Sequence, residues 1–105
     1  MRVIRGEAKG RKIQVPREIK LRLTSDRVKE SLFNLLPDLE GLVFLELFAG
    51  TGNVSLEALS RGAKRAVLVE KEPALVALIG KNLAALGFAG RSEVITGPAE
   101  RVLPF

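Results

Sequence analysis

The sequence has no cysteine and no histidine. There is therefore no disulfide frame, no thiolate nucleophile and no imidazole base. A zinc site would have only carboxylates to draw on, so no metal is expected. Aromatic residues are scarce, with none before Phe33, so the N-terminal segment offers no ring on which an unpaired base could stack. No apolar run approaches the roughly 20 residues that span a bilayer. The basic start MRVIRGEAKGRK also lacks the apolar stretch of a secretory signal. The expectation is a cytoplasmic protein with no membrane partner, acting by binding and positioning or through a bound cofactor.

What is present is the composition of a globular chain: 105 residues, 47% hydrophobic and 28% charged, enough for one domain or a piece of one. The charge is uneven. Residues 1 to 29 hold ten Lys and Arg against Glu7, Glu18 and Asp26, a net of +7, while the rest carries −2, giving the overall +5. A basic segment of this kind is the electrostatic footprint of a phosphate-backbone contact. The alternative is a solvated, solubilising face.

RVIRGEAKGRKIQVP reads as a β-hairpin, with β-branched Val3, Ile4, Ile13 and Val15 around Gly6 and Gly10. After a polar loop, Thr24, Ser25 or Asp26 can cap a helix whose Val28, Leu32, Leu35 and Leu36 fall on one face, ending before Pro37. From Gly41 the pattern alternates. LVFLELF (42–48) reads as a parallel strand buried on both faces. Helix 53–61 follows, then strand 66–70, a helix opened by Pro73 and closed by Gly87, strand 92–97, and a further element from Ala99. Three parallel strands with helices between them make an α/β fold, half of a doubly wound, Rossmann-like sheet.

Ligands of such sheets bind beyond the carboxyl ends of the strands. There the first strand offers Glu46, then Phe48, Ala49, Gly50, Thr51 and Gly52, with Asn53 opening the next helix. The glycines allow a tight turn and close approach of backbone to ligand. Glu70, at the end of the second strand and 18 residues after Gly52, is spaced to accept hydrogen bonds from a ribose diol. An adenosine-containing cofactor fits, and two compete. A dinucleotide calls for G-x-G-x-x-G, but Ser55 stands at the third glycine position. Glu46 would also repel a pyrophosphate. S-adenosylmethionine, with an ammonium, a sulfonium and no phosphate, suits that carboxylate better. The competing reading of Glu46 is a buried ion pair or an outward-facing strand residue.

Four segments make the chain resemble the bacterial RsmD family, the 16S rRNA guanine-N2 methyltransferases. RVIRGEAKGRKIQVP resembles the family's opening hairpin with its G-x-x-x-GRK core, and LRLTSDRVKESLFNLL its helix signature R-P-T-x-D-R-V-R/K-E-x-L-F-N. FLELFAGTGNVSLEALSRGA resembles its donor-binding loop DxFAGSGxxGxEALSRGA, and LVEKE its ribose-binding acid. The resemblance implies a class I methyltransferase domain using S-adenosyl-L-methionine. Glu46 and the Phe48-to-Gly52 turn would line the methionine part, Asn53 would also bind the cofactor, Glu70 would hold the ribose, and Lys71 would flank the adenine. Arg27 would meet the donor's carboxylate or RNA, though a simple surface arginine is the alternative. Residues 1–23 would form an RNA-docking extension, with Arg2, Arg5, Lys9, Arg11, Lys12 and Arg22 facing 16S rRNA or the assembling small subunit. Residues 24–105 would be the first half of the donor-binding domain. Two departures stand out. Leu23 replaces the usual proline, and Pro98 stands where Asp or Asn often reads adenine, leaving that task to the Ala99 amide.

The resemblance also implies an Asn/Asp-Pro-Pro-Phe/Tyr loop that orients the acceptor amine, and no such motif occurs in residues 1–105. No catalytic residue is therefore assigned here. The chain is expected to be the N-terminal portion of a longer enzyme, with strand 42–48 as an open edge through which it would self-associate. Two other functions fit the same residues: methylation of another acceptor such as adenine N6 in DNA, and a non-catalytic RNA-binding module that retains a donor pocket.

Overall fold

The glycine turns and the single helix-opening proline place the elements where the apolar pattern predicts them. The computed structural model describes residues 1–16 and 25–102; Arg22, Leu23 and Thr24 lie outside the described residues. The order is α1 (Asp26–Leu35), β1 (Val43–Leu47), α2 (Asn53–Ser60), β2 (Arg65–Glu70), α3 (Pro73–Ala85), a 3-10 turn (Ala89–Arg91), β3 (Ser92–Thr96) and α4 (Ala99–Val102). The strands form one parallel sheet in the order β1-β2-β3. Its register sets Leu47 opposite Val69 and Glu70 opposite Thr96. The carboxyl ends of the strands thus lie together along one rim.

Local chemistry explains the boundaries. The Ser25 hydroxyl accepts from the Val28 amide at 3.2 Å and starts α1. Pro73 opens α3, and Gly87 at φ 77° ends it in the left-handed region that favours glycine. The main core joins Leu56 and Leu59 of α2, Leu68 of β2, Ile79 and Leu83 of α3, and Phe88. Each such side chain, fully buried, contributes about 1.5–3 kcal/mol.

The N-terminal segment differs from the expected ladder. It doubles back with one antiparallel bridge, Arg2 to Lys12. The arms exchange backbone bonds, from the Val3 amide to the Arg11 carbonyl and the Ile13 amide to the Met1 carbonyl, both 2.9 Å, and from the Gly10 amide to the Val3 carbonyl at 2.8 Å. Three further amides turn to side chains of α2: Ile4 and Arg5 donate to the Glu57 carboxylate at 2.9 and 3.1 Å, and Ala8 to Ser60 Oγ at 2.9 Å. Val3, Ala8 and Ile13 sit in the main core. Side chains of α2 thus satisfy amides that find no acceptor on the opposite arm.

Helix α1 is rotated from the expected face. Val28, Leu32 and Leu35 are exposed, and the buried residues are Phe33 and Lys29. Phe33 stacks on Phe44 of β1 with ring centroids 6.2 Å apart, while the Lys29 ammonium reaches Arg2 of the N-terminal segment and both Asn53 and Glu57 of α2. Those polar contacts fix the rotation, because an unpaired buried ammonium costs more than exposing leucine. Strand β1 is likewise not buried on both faces. Val43 and Leu45 are exposed, and among the described residues only β2 pairs with it. No helix among the described residues is long and apolar enough to cross a membrane.

Candidate functional site

The site begins in a strained turn. Phe48 follows β1 with φ 56°, and Gly50 and Gly52 follow at φ 61° and 79°. Left-handed backbone at a phenylalanine costs on the order of 1–3 kcal/mol and persists only when its surroundings hold it. Three hydrogen bonds within the rim do so. The Ala49 amide donates to the Val69 carbonyl at 3.0 Å, the Gly50 amide to Glu70 Oε1 at 2.8 Å, and the Gly52 amide to the Ala49 carbonyl at 2.9 Å. A Cβ at Gly52 would lie 3.2 Å from Leu68 Cδ2, tight against the core, whereas one at Gly50 would meet nothing within 4 Å. The turn is thus closed on its core side at Gly52 and open at Gly50, where a ligand can approach the backbone.

Two carboxylates flank the turn. Glu70 is buried; Oε1 takes the Gly50 amide and Oε2 the Glu72 amide at 3.0 Å. An ionised carboxylate accepts about four hydrogen bonds, so capacity for two hydroxyl donors is left. Glu46 is half-buried, and its Oε1 takes both the amide and the hydroxyl of Ser55, at 3.1 and 2.6 Å. Burial pushes the Glu46 carboxyl up to about 7; the Ser55 bonds oppose that and the Glu70 charge adds to it. A cation beside Glu46 would favour its charged form.

The other residues expected at the donor site divide. Thr51 and Asn53 are buried, and Asn53 Oδ1 accepts from Lys29 Nζ at 2.7 Å. Phe48 and Lys71 are exposed beside the turn. Ala99 is buried at the start of α4, just past β3, and the Gly97 amide bonds the Glu70 carbonyl at 3.0 Å, which ties that end of the sheet to Glu70. Of the basic set, Arg2, Arg5, Lys9, Arg11, Lys12 and Arg27 are exposed. Arg2 donates to the Gly10 carbonyl at 2.9 Å and Arg11 to the Ala85 carbonyl at 2.8 Å.

Sequence reasoning missed the residues that hold this rim. Ser55 stands out in the sequence only as a departure from glycine, yet it is the partner of Glu46. Asn82, on α3, donates to the Thr51 carbonyl at 3.2 Å and exchanges bonds with Gln14. Lys29 and Glu57, to which the sequence pattern assigns no place, are fully buried. Nothing short of long-range contacts marks them. No group of three or more metal-ligating side chains occurs among the described residues.

Comparisons with known proteins agree with this architecture. The chain is 45% identical over 100 residues to the ribosomal RNA small subunit methyltransferase D of Escherichia coli K12, covering 94% of this chain and 50% of the relative. The solved Escherichia coli protein yhhF superposes with a TM-score of 0.85 at 41% identity, over 97% of this chain and 54% of that one. The C-terminal domain of precorrin-6Y C5,15-methyltransferase from Rhodobacter capsulatus shares the fold at a TM-score of 0.70 and 24% identity, over 80% of this chain and 47% of that one. The chain thus spans about half the length of the Escherichia coli K12 relative. The family model described as conserved hypothetical protein 95 matches residues 1–104. With a class I methyltransferase sheet and a carboxylate-flanked glycine turn at its rim, the chain belongs to that family, the RsmD family of methyltransferases.

Proposed function

We propose that the polypeptide carrying this chain transfers a methyl group from S-adenosyl-L-methionine to the exocyclic N2 of a guanine in 16S ribosomal RNA. In this reading the described half supplies donor binding and RNA docking in the cytoplasm. The observation that carries the donor assignment is the pair Glu46 and Glu70 on neighbouring strand ends, either side of a turn open at Gly50. The name and identity of the Escherichia coli relative support the substrate class.

When bound, the donor supplies an electrophilic methyl on a sulfonium, which leaves as a neutral thioether. This chain's residues hold and orient it. Glu70 accepts from the ribose hydroxyls with the lone pairs that the Gly50 and Glu72 amides leave over. Glu46 faces the cationic part, and the Gly50 backbone packs against the ligand. Lys71 and the Ala99 amide border the adenine. Acceptor orientation and proton removal fall to the Asn/Asp-Pro-Pro-Phe/Tyr loop that the family resemblance implies.

Calorimetry on the Glu70→Ala variant of the full-length polypeptide tests the donor site. Losing hydrogen bonds to a charged acceptor should weaken S-adenosylmethionine binding roughly tenfold to a hundredfold. Undiminished affinity would remove Glu70 from the ribose. For docking, Arg11 and Lys12 stand exposed on the segment that doubles back. Replacing both with alanine should reduce the slope of log affinity for a 16S transcript against log salt by about two, one for each phosphate no longer neutralised. An unchanged slope would take this segment out of the interface.

A further inference from the structure

Two buried polar side chains connect the basic segment to the donor turn, one on each side of Gly52. Lys29, with no exposed surface, donates from Nζ to the Arg2 carbonyl at 2.9 Å and to Asn53 Oδ1 at 2.7 Å. Asn82, 2% exposed, accepts from the Gln14 amide at 2.9 Å, returns a bond to the Gln14 carbonyl at 3.1 Å, and donates to the Thr51 carbonyl at 3.2 Å. Arg2 and Gln14 stand on the two arms of the doubled-back segment, which the Arg2–Lys12 bridge holds together. One arm therefore reaches Asn53 and the other reaches Thr51, the neighbours of the glycine that closes the turn.

We propose that Lys29 and Asn82 are positioning residues that couple the N-terminal basic segment to the donor turn, so that ribosomal RNA and S-adenosylmethionine bind cooperatively. The inference rests on the function proposed above. An ion pair with Glu57, at 3.2 Å, would account for burying the Lys29 ammonium. It does not account for that ammonium also spanning the Arg2 backbone and Asn53. Asn82 carries no charge that needs a partner, yet its amide group joins the Gln14 backbone to the Thr51 backbone. The turn they hold has Phe48 in left-handed backbone, a conformation that depends on external restraint. RNA phosphates on Arg2, Arg11 and Lys12 order the two arms. The ordered arms fix Lys29 and Asn82, and these fix the turn in the shape that meets the donor. Linkage makes the effect reciprocal, so bound donor tightens RNA to the same degree.

The test uses the full-length polypeptide and its Lys29→Met and Asn82→Leu variants, which keep the unbranched and the γ-branched shape of the respective side chains and remove their polar groups. Donor affinity is measured by calorimetry with and without a 16S rRNA transcript. In the unmodified protein the transcript should tighten the donor about fivefold or more, and in either variant that ratio should fall toward one. A purely structural role would lower the melting temperature and leave the ratio intact. A ratio of one in the unmodified protein, or a preserved ratio in a folded variant, overturns the proposal. Hydrogen exchange supplies a readout that needs neither variant folding nor donor binding. Adding the transcript alone should slow exchange at the bonded amides of Gly50, Gly52 and Ser55, and unchanged exchange there overturns the coupling. Failure of the donor to bind under any condition would instead count against the proposed function, with hydrogen exchange still deciding the coupling.

Discussion

Glu57→Ala should destabilise the folded protein by about 3–5 kcal/mol, the cost of stripping the partner from a buried ion pair. Glu57 is fully buried and holds more than one charge. Its Oε1 faces Lys29 Nζ at 3.2 Å and accepts from Ile4, and its Oε2 accepts from Arg5 and from Arg61 Nε at 2.7 Å. Burial alone would raise its carboxyl. The bonds from Ile4, Arg61 and Arg5 and the Lys29 charge outweigh that and hold it below the usual carboxylate range. Removing the carboxylate leaves the Lys29 ammonium with half-exposed Asp26, at 3.6 Å, as its nearest anion. Arg61, whose Nη2 already has no hydrogen-bond partner among the described residues, loses its ion pair too. Against a typical total of about 5–15 kcal/mol this is a large fraction. Urea unfolding of the full-length protein measures it, with Glu57→Gln as the milder control that keeps one acceptor oxygen. A loss below about 1 kcal/mol would show that the network does not tie the N-terminal segment and α1 to α2.

That network also marks the limit of what the sequence discloses. The strand–helix alternation is legible because the glycines at the turns and Pro73 punctuate it. The glycine turn at the rim is legible because two glycines follow an acid that has no reason to sit in a strand. The rotation of α1 is not, since Val28, Leu32, Leu35 and Leu36 make a regular stripe and only a distant acceptor set explains why Lys29 goes inside. The docking of the N-terminal hairpin on α2 has the same origin. In NVSLEALS the glutamate and the last serine look like solvent-facing positions, yet they take the amides of Ile4, Arg5 and Ala8. Periodicity reports which residues are apolar, not which polar ones will find each other across the chain. The role of Glu46 is half legible: the sequence places its carboxylate at the rim but gives no sign of its hold on Ser55.

Glu46 should make stability and donor binding respond to pH in opposite directions. Its carboxyl rises from 4.5 to about 7 on folding, so between those values the folded state binds more protons than the unfolded state. Stability from this group is therefore fully present below about pH 4.5 and is lost as pH rises through about 7. The shift corresponds to about 3 to 4 kcal/mol at most, at 1.36 kcal/mol per pH unit. Glu57, held low, contributes with the opposite sign, its share being lost only as pH falls below the ordinary carboxylate range. A cationic donor favours the charged form of Glu46, so binding should release a proton, and affinity should climb between about pH 6 and pH 8 while stability declines. Calorimetry in buffers of different ionisation enthalpy reads the proton directly, and urea midpoints across the same range read the stability. In Glu46→Gln the stability slope in this window should flatten, and the pH dependence of donor affinity should disappear with it. Donor affinity that stays level or falls toward pH 8 in the unmodified protein would place the cationic part of the ligand away from Glu46. The strand-end acid would then serve only to anchor Ser55 at the start of α2.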